Sequence, residues 1–123
     1  MNVTLWIAQG LLAAVALGGG LAKLAQPRAK LLARMAFVED FSDGAIKTIG
    51  ALEVLAAIGL ILPGITKIAP VLVPLAAVGL ILLHIGAIIT HVRRKEAQII
   101  PVNIILIALA AFVAWGRFGP YAL

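Results

Sequence analysis

Residues 68–92 read IAPVLVPLAAVGLILLHIGAIITHV and contain no Asp, Glu, Lys or Arg. A helix needs about 20 mostly apolar residues to cross the hydrocarbon core of a bilayer, and this stretch is long enough. Two further windows, residues 1–22 and 97–116, are equally free of charge. A fourth apolar stretch at 45–62 is interrupted by Lys47 and Glu53. In a chain of 123 residues these windows leave no room for a soluble domain. Composition agrees, with 63% hydrophobic and 12% charged residues, where soluble domains run about 25% charged. The expected architecture is all-α: a single transmembrane domain over 1–123, built as a four-helix bundle. Its spans are expected at about 2–24, 45–62, 68–91 and 99–115.

The apolar segment at 1–22 also invites reading as a signal peptide. Such a peptide opens on a positive n-region, whereas the first positive charge here is Lys23, at the far end. It is therefore expected to be a retained span. Ten Lys and Arg against five Asp and Glu give a net charge of +5. The basic residues sit at the ends of apolar windows, which suits lipid headgroups and topology control. Nucleic acid is not an expected partner, because no exposed domain remains to present a basic face. The chain has no Cys, so disulfides, thiolate metal sites and cysteine nucleophiles are excluded.

Between the first two spans lies AQPRAKLLARMAFVEDFSDG, residues 25–44. Leu31, Leu32, Met35, Val38 and Phe41 recur among Arg28, Lys30 and Arg34, predicting a short amphipathic helix on the membrane surface over 27–41. It should end near Asp43-Gly44. The second span should stop at Pro63-Gly64, and the short loop that follows makes spans two and three antiparallel neighbours. Pro70 and Pro74 fall in the first turns of the third span, with a mild kink expected at Pro74. Pro101 begins the last span. The connections after spans one and three hold Lys23, Arg28, Lys30, Arg34, Lys47, Arg93, Arg94 and Lys95, and the opposite side only Lys67 and Arg117. Positive charge marks the cytoplasmic side, so both termini are expected outside a bacterial plasma membrane. Trp6, Trp115 and Tyr121 would then form an outer aromatic belt.

Because a membrane fixes helix ends, depths compare across helices. Glu53 lies about seven residues from the cytoplasmic end of span two, ~10 Å in at 1.5 Å per residue. His84 lies ~12 Å from the same face in span three. Lys23 closes span one there, and Asn103 enters span four from that side. Lys23, Glu53, His84 and Asn103 thus form the candidate polar site, one residue from each span. An ionised carboxylate at that depth costs several kcal/mol, of order, unless paired or wetted. Three arrangements meet that cost: a protonated, hydrogen-bonded Glu53; a pair with His84 or Lys23; or a polar ligand cavity. The plainer alternative is an interhelical clasp that only fixes packing. His84 and His91, seven apart, are ~10.5 Å apart along the axis, too far to share one metal or haem iron. Gly10, Ala14, Gly18 and Ala22 repeat every four residues on span one, a packing stripe for another helix or another protomer. Gly18-Gly19-Gly20 is not a phosphate loop, lacking a preceding strand and a following Lys-Ser/Thr.

The segments GGGLAKL at 18–24, KTIGALEVLAAIGLILP at 47–63, GLILLHIGAIITHVRRKE at 79–96 and PVNIILIALAAFVAWGR at 101–117 together resemble the DoxX-like family of small four-helix membrane proteins. The Gly-Ala-Leu-Glu run at 50–53 is the most specific of them. The family takes its name from a membrane subunit of quinol-oxidase or thiosulfate:quinone oxidoreductase systems. By resemblance, Lys23, Glu53 and His84 would line a site for a quinone-like or other small amphipathic ligand. The chain has no cofactor motif of its own, so redox activity would need a partner subunit, and a homo-oligomer is a further expectation. A scaffold or assembly factor for other membrane proteins is the alternative. A proton-coupled small transporter is a lower alternative: small multidrug exporters also have four spans, but carry their carboxylate in the first, which here has none. Glu53, His84 and Lys23 come without a nucleophile or metal cluster, so a stand-alone enzyme is not expected.

Overall fold

The computed structural model describes residues 1–34 and 41–123. Helix α1 covers Asn2–Ala25, α2 Arg28–Arg34, α3 Asp43–Thr66 and α4 Leu72–Arg93. A short 3-10 turn at Ala97–Ile99 leads into α5, Ile100–Phe118. The four long helices are each apolar and long enough to cross a membrane. Large side chains such as Leu55, Leu82 and Ile105 are exposed on their outer faces, where hydrocarbon is the natural solvent. The protein is an integral membrane four-helix bundle.

The helices form a ring in which α1 packs mainly on α3 and α4 mainly on α5, with α3–α4 and α1–α5 closing it. The dry core occupies one half of the bundle. Leu5, Leu12 and Ala16 of α1 meet Leu60 of α3, Val73 and Leu80 of α4, and Val113 of α5 there, all buried. These positions lie toward the N-terminal ends of α1 and α4 and the C-terminal ends of α3 and α5. The opposite half, beside the α1–α3 and α4–α5 connections, holds Lys23, Glu53, His84 and Asn103.

Several boundaries differ from the sequence expectation. The surface helix is present as Arg28–Arg34; its expected continuation through Met35 and Val38 lies outside the described residues. Leu31 is buried against Ile46, with Ala22, Leu32 and Phe41 around them, so the apolar face of α2 docks on the bundle. Asp43 and Gly44 start α3 rather than end the linker, because the Ser42 hydroxyl caps it by accepting from the Ala45 amide at 3.1 Å. Helix α3 also runs through Pro63 to Thr66. A helical proline crowds the carbonyl four residues back, but helices in a bilayer tolerate this where neighbouring groups re-satisfy the backbone. The Thr66 hydroxyl donates to the Leu62 carbonyl at 2.8 Å in that last turn, and Lys67 stops the helix in the left-handed region at φ 59°. Helix α4 starts at Leu72, later than Ile68, so Pro70 precedes it. Pro74 is the third residue of α4, where a backbone N–H has no partner within the helix; the interior position that a kink at Pro74 presupposes is absent.

Candidate functional site

The site begins with a close helix crossing. A Cβ on Gly20 would lie 2.7 Å from the Gly50 carbonyl oxygen, and one on Gly50 would lie 2.8 Å from the Gly20 carbonyl oxygen. Only glycine at both positions lets α1 and α3 approach this closely. The same crossing sets Lys23 Cβ against Gly50 and Glu53 Cβ against Gly20, so the two charged side chains face each other. Lys23 Nζ donates to Glu53 Oε1 at 2.7 Å, with side-chain exposures of 8% and 15%. Burying both charges together removes the larger penalty of burying either alone. Of the three arrangements open to Glu53, the pair with Lys23 is the one adopted, and it borders a cavity.

The second polar pair joins α4 to α5. His84 Nδ1 and Asn103 Oδ1 lie 3.0 Å apart, and Asn103 Nδ2 donates to the Ile99 carbonyl at 3.2 Å. His84 therefore bonds Asn103 and not Glu53, although the two lie at similar depth. A third cluster sits at the turn after α4: His91 Nδ1 is 2.9 Å from Glu96 Oε1, and Arg94 Nε is 3.3 Å from Glu96 Oε2. The His91 hydrogen bond, aided by the Arg94 charge, holds the Glu96 carboxyl below the usual carboxylate range against an opposing push from burial.

These groups surround one cavity of about 760 Å³ between the α1–α3 pair and the α4–α5 pair. Lys23, Glu53, His84 and Asn103 all line it, one from each long helix, and His91 and Glu96 border it near the turn. The walls are otherwise mainly apolar, with Leu80, Leu83, Val102 and Leu106 among them. Small-molecule sites commonly have such a volume and such a balance of apolar wall and few convergent polar groups. Among the described residues no His, Asp and Glu cluster is arranged to hold a metal.

The helix-one stripe lies elsewhere. Gly10, Ala14 and Gly18 are exposed on the outer face of α1, and a Cβ on Gly10 or Gly18 would meet nothing within 4 Å. Within the bundle the packing face of α1 is instead Leu5, Ala8, Gln9, Leu12, Ala16 and Gly20. Ala22 is half-buried beside Leu31 and Ile46.

At the opposite end lies a second buried polar cluster, which the hydropathy pattern does not mark. Gln9 Nε2 donates to the Leu60 carbonyl at 2.6 Å, while Gln9 Oε1 accepts from Arg117 Nε at 2.8 Å. Arg117 Nη1 donates to Asn2 Oδ1 at 2.6 Å and to the Tyr121 carbonyl at 2.9 Å, and the guanidinium stacks 5.3 Å from the Trp6 ring centroid. Arg117 is thus a buried tie between α1 and α5, not only an interfacial charge. The available signal was Gln9 itself, a polar residue inside an uncharged window at the end where Arg117 falls.

No curated protein and no solved structure matched the chain. The profile of the DoxX-like family matches residues 7–113, a range that includes Lys23, Glu53, His84 and Asn103 and all four long helices in whole or in large part. This chain belongs to the DoxX-like family.

Proposed function

We propose that the protein binds a small amphipathic ligand, quinone-like or lipid-like, within the bilayer, and acts as an accessory subunit beside a redox partner that carries its own cofactor. The observation that supports this most is the 760 Å³ cavity with Lys23, Glu53, His84 and Asn103 on its walls. An apolar tail fits the Leu and Val walls, and a polar head finds both donors and acceptors at the ion pair and the imidazole. In the proposed orientation the cavity lies in the cytoplasmic half and both termini lie outside. A reporter fused to either terminus should be accessible from outside intact cells.

The direct test is calorimetric titration of the protein in lipid nanodiscs with a short-chain benzoquinone and its hydroquinone. Saturable binding is expected, weakened at least tenfold by Glu53→Gln. Absence of saturable binding for both forms refutes the proposal.

A second reading, a scaffold for other membrane proteins, draws on the outward face of α1, where Gly10, Ala14 and Gly18 leave a smooth groove. It expects Gly18→Leu to abolish co-purification with a partner while Glu53→Gln leaves it intact. Tight packing at the level of Glu53 would favour that reading, and the cavity weighs against it.

A further inference from the structure

Resting on the ligand-binding role proposed above, we infer that the cavity selects a head group that donates a hydroxyl hydrogen, so that a hydroquinone-type or other hydroxyl-bearing ligand is preferred over its carbonyl-only counterpart. The selection follows from one amide. Asn103 donates to the Ile99 carbonyl at 3.2 Å, and only the NH₂ side of an amide can donate to a carbonyl. Its oxygen must then face His84 Nδ1, 3.0 Å away, and that oxygen can only accept. Nδ1 therefore carries the imidazole hydrogen. A neutral imidazole has a single N–H, so Nε2 presents a bare lone pair. Nε2 makes no hydrogen bond within the described residues and is not sealed from the surroundings.

A second acceptor belongs to Glu53, which also lines the cavity. Glu53 Oε1 is taken by Lys23, but Oε2 has no donor among the described residues and is not sealed either. Oε2 lies beside Gly19, where a Cβ would come within 3.0 Å of it. Two residues that line the cavity thus each carry an acceptor without a donor, and a third, Lys23, carries a charged donor. A hydroxyl head donates to either acceptor and also accepts from Lys23. Of Lys23, Glu53, His84 and Asn103, a quinone carbonyl can use only Lys23, and it leaves the two acceptors without partners as it displaces water from them, an asymmetry that penalises the wrong ligand.

The chemistry is shared by a hydroquinone and by a neutral lipid with a free glycerol hydroxyl, and the test separates them. The protein in nanodiscs is titrated at pH 8 without oxygen. The probes are trimethylhydroquinone, the corresponding benzoquinone, the hydroquinone dimethyl ether and dioctanoylglycerol. The hydroquinone is expected to bind at least tenfold more tightly than both the quinone and the ether. Equal affinity of dioctanoylglycerol supports the same chemistry with a lipid as its source; weaker affinity supports the aromatic head. His84→Gln offers an amide that turns either face to the ligand, and Asn103→Leu releases the imidazole. Each should lower the hydroquinone-to-quinone ratio, and either one combined with Glu53→Gln, which replaces the open Oε2 by a donor, should bring it to within about threefold. Equal binding of quinone and hydroquinone by the unaltered protein overturns the inference and leaves the ligand-binding role standing. So does a ratio that survives in both combined variants. Binding of none of the four probes overturns both.

Discussion

Replacing Gly20 by Ala isolates the contact that assembles the site. The new methyl would lie 2.7 Å from the Gly50 carbonyl oxygen and 2.8 Å from Val54 Cγ2, short of ordinary contact by about 0.7 Å. The first neighbour is backbone, so α1 and α3 must separate. Overpacking of this kind costs about 1–3 kcal/mol, offset by about 0.5–1 kcal/mol from replacing a helical glycine, for a net loss of about 1–2 kcal/mol. Gly18→Ala is the matched control: two residues away on the same helix, but open on the outer face, it keeps the gain of about 0.5–1 kcal/mol without the clash. The two variants should therefore differ by about 2 kcal/mol in unfolding free energy, measured by SDS titration in mixed micelles with Trp6 and Trp115 fluorescence as reporters. Gly20→Ala should also loosen quinone or hydroquinone binding, because separation of the helices lengthens the Lys23–Glu53 contact. Equal stability of the two variants would refute the crossing as the element that positions the pair.

Lys23→Ala, which leaves Glu53 without its partner, should destabilise by about 3–5 kcal/mol, while Lys23→Met with Glu53→Leu should restore most of the stability yet bind no ligand; thermal unfolding beside ligand titration checks both. Gln9→Leu removes the acceptor for Arg117 Nε and the donor to the Leu60 carbonyl, and should cost about 3 kcal/mol in the same unfolding assay without altering ligand affinity. The Glu96 carboxyl is held below its ordinary value of 4.5, first by its His91 hydrogen bond. A depressed folded value means that its contribution is complete above about pH 4.5 and is lost as pH falls through the lower folded value. Unfolding followed from pH 6 to 3 should show this loss, and Glu96→Gln should flatten that segment of the profile.

The bundle was legible because bilayer helices must satisfy their backbones internally and shed charge, which makes uncharged windows in the sequence equivalent to spans. Helix ends were less legible. Ser42 as a cap and Pro63 inside α3 depend on local hydrogen bonds and packing that hydropathy does not record. Depth was legible too: residue counts alone set Glu53 and His84 near one level, with Lys23 and Asn103 toward the same face, and all four line the same cavity. Rotation about each helix axis was not. It decides that Glu53 meets Lys23 while His84 meets Asn103, and it turns Gly10, Ala14 and Gly18 outward while Gly20 makes the close approach. The buried Gln9–Arg117 tie escaped for the same reason, since a residue at a span end looks interfacial until its side chain is seen to fold inward.

Photoaffinity labelling with a short-chain azidoquinone, in nanodiscs and with unlabelled hydroquinone as competitor, tests the cavity most directly. Competed labels should fall on Leu83, Val102 and Leu106 and disappear in Glu53→Gln. Labels that are not competed, or that spread over lipid-facing residues such as Leu17 and Ile104, would contradict a ligand site in this bundle.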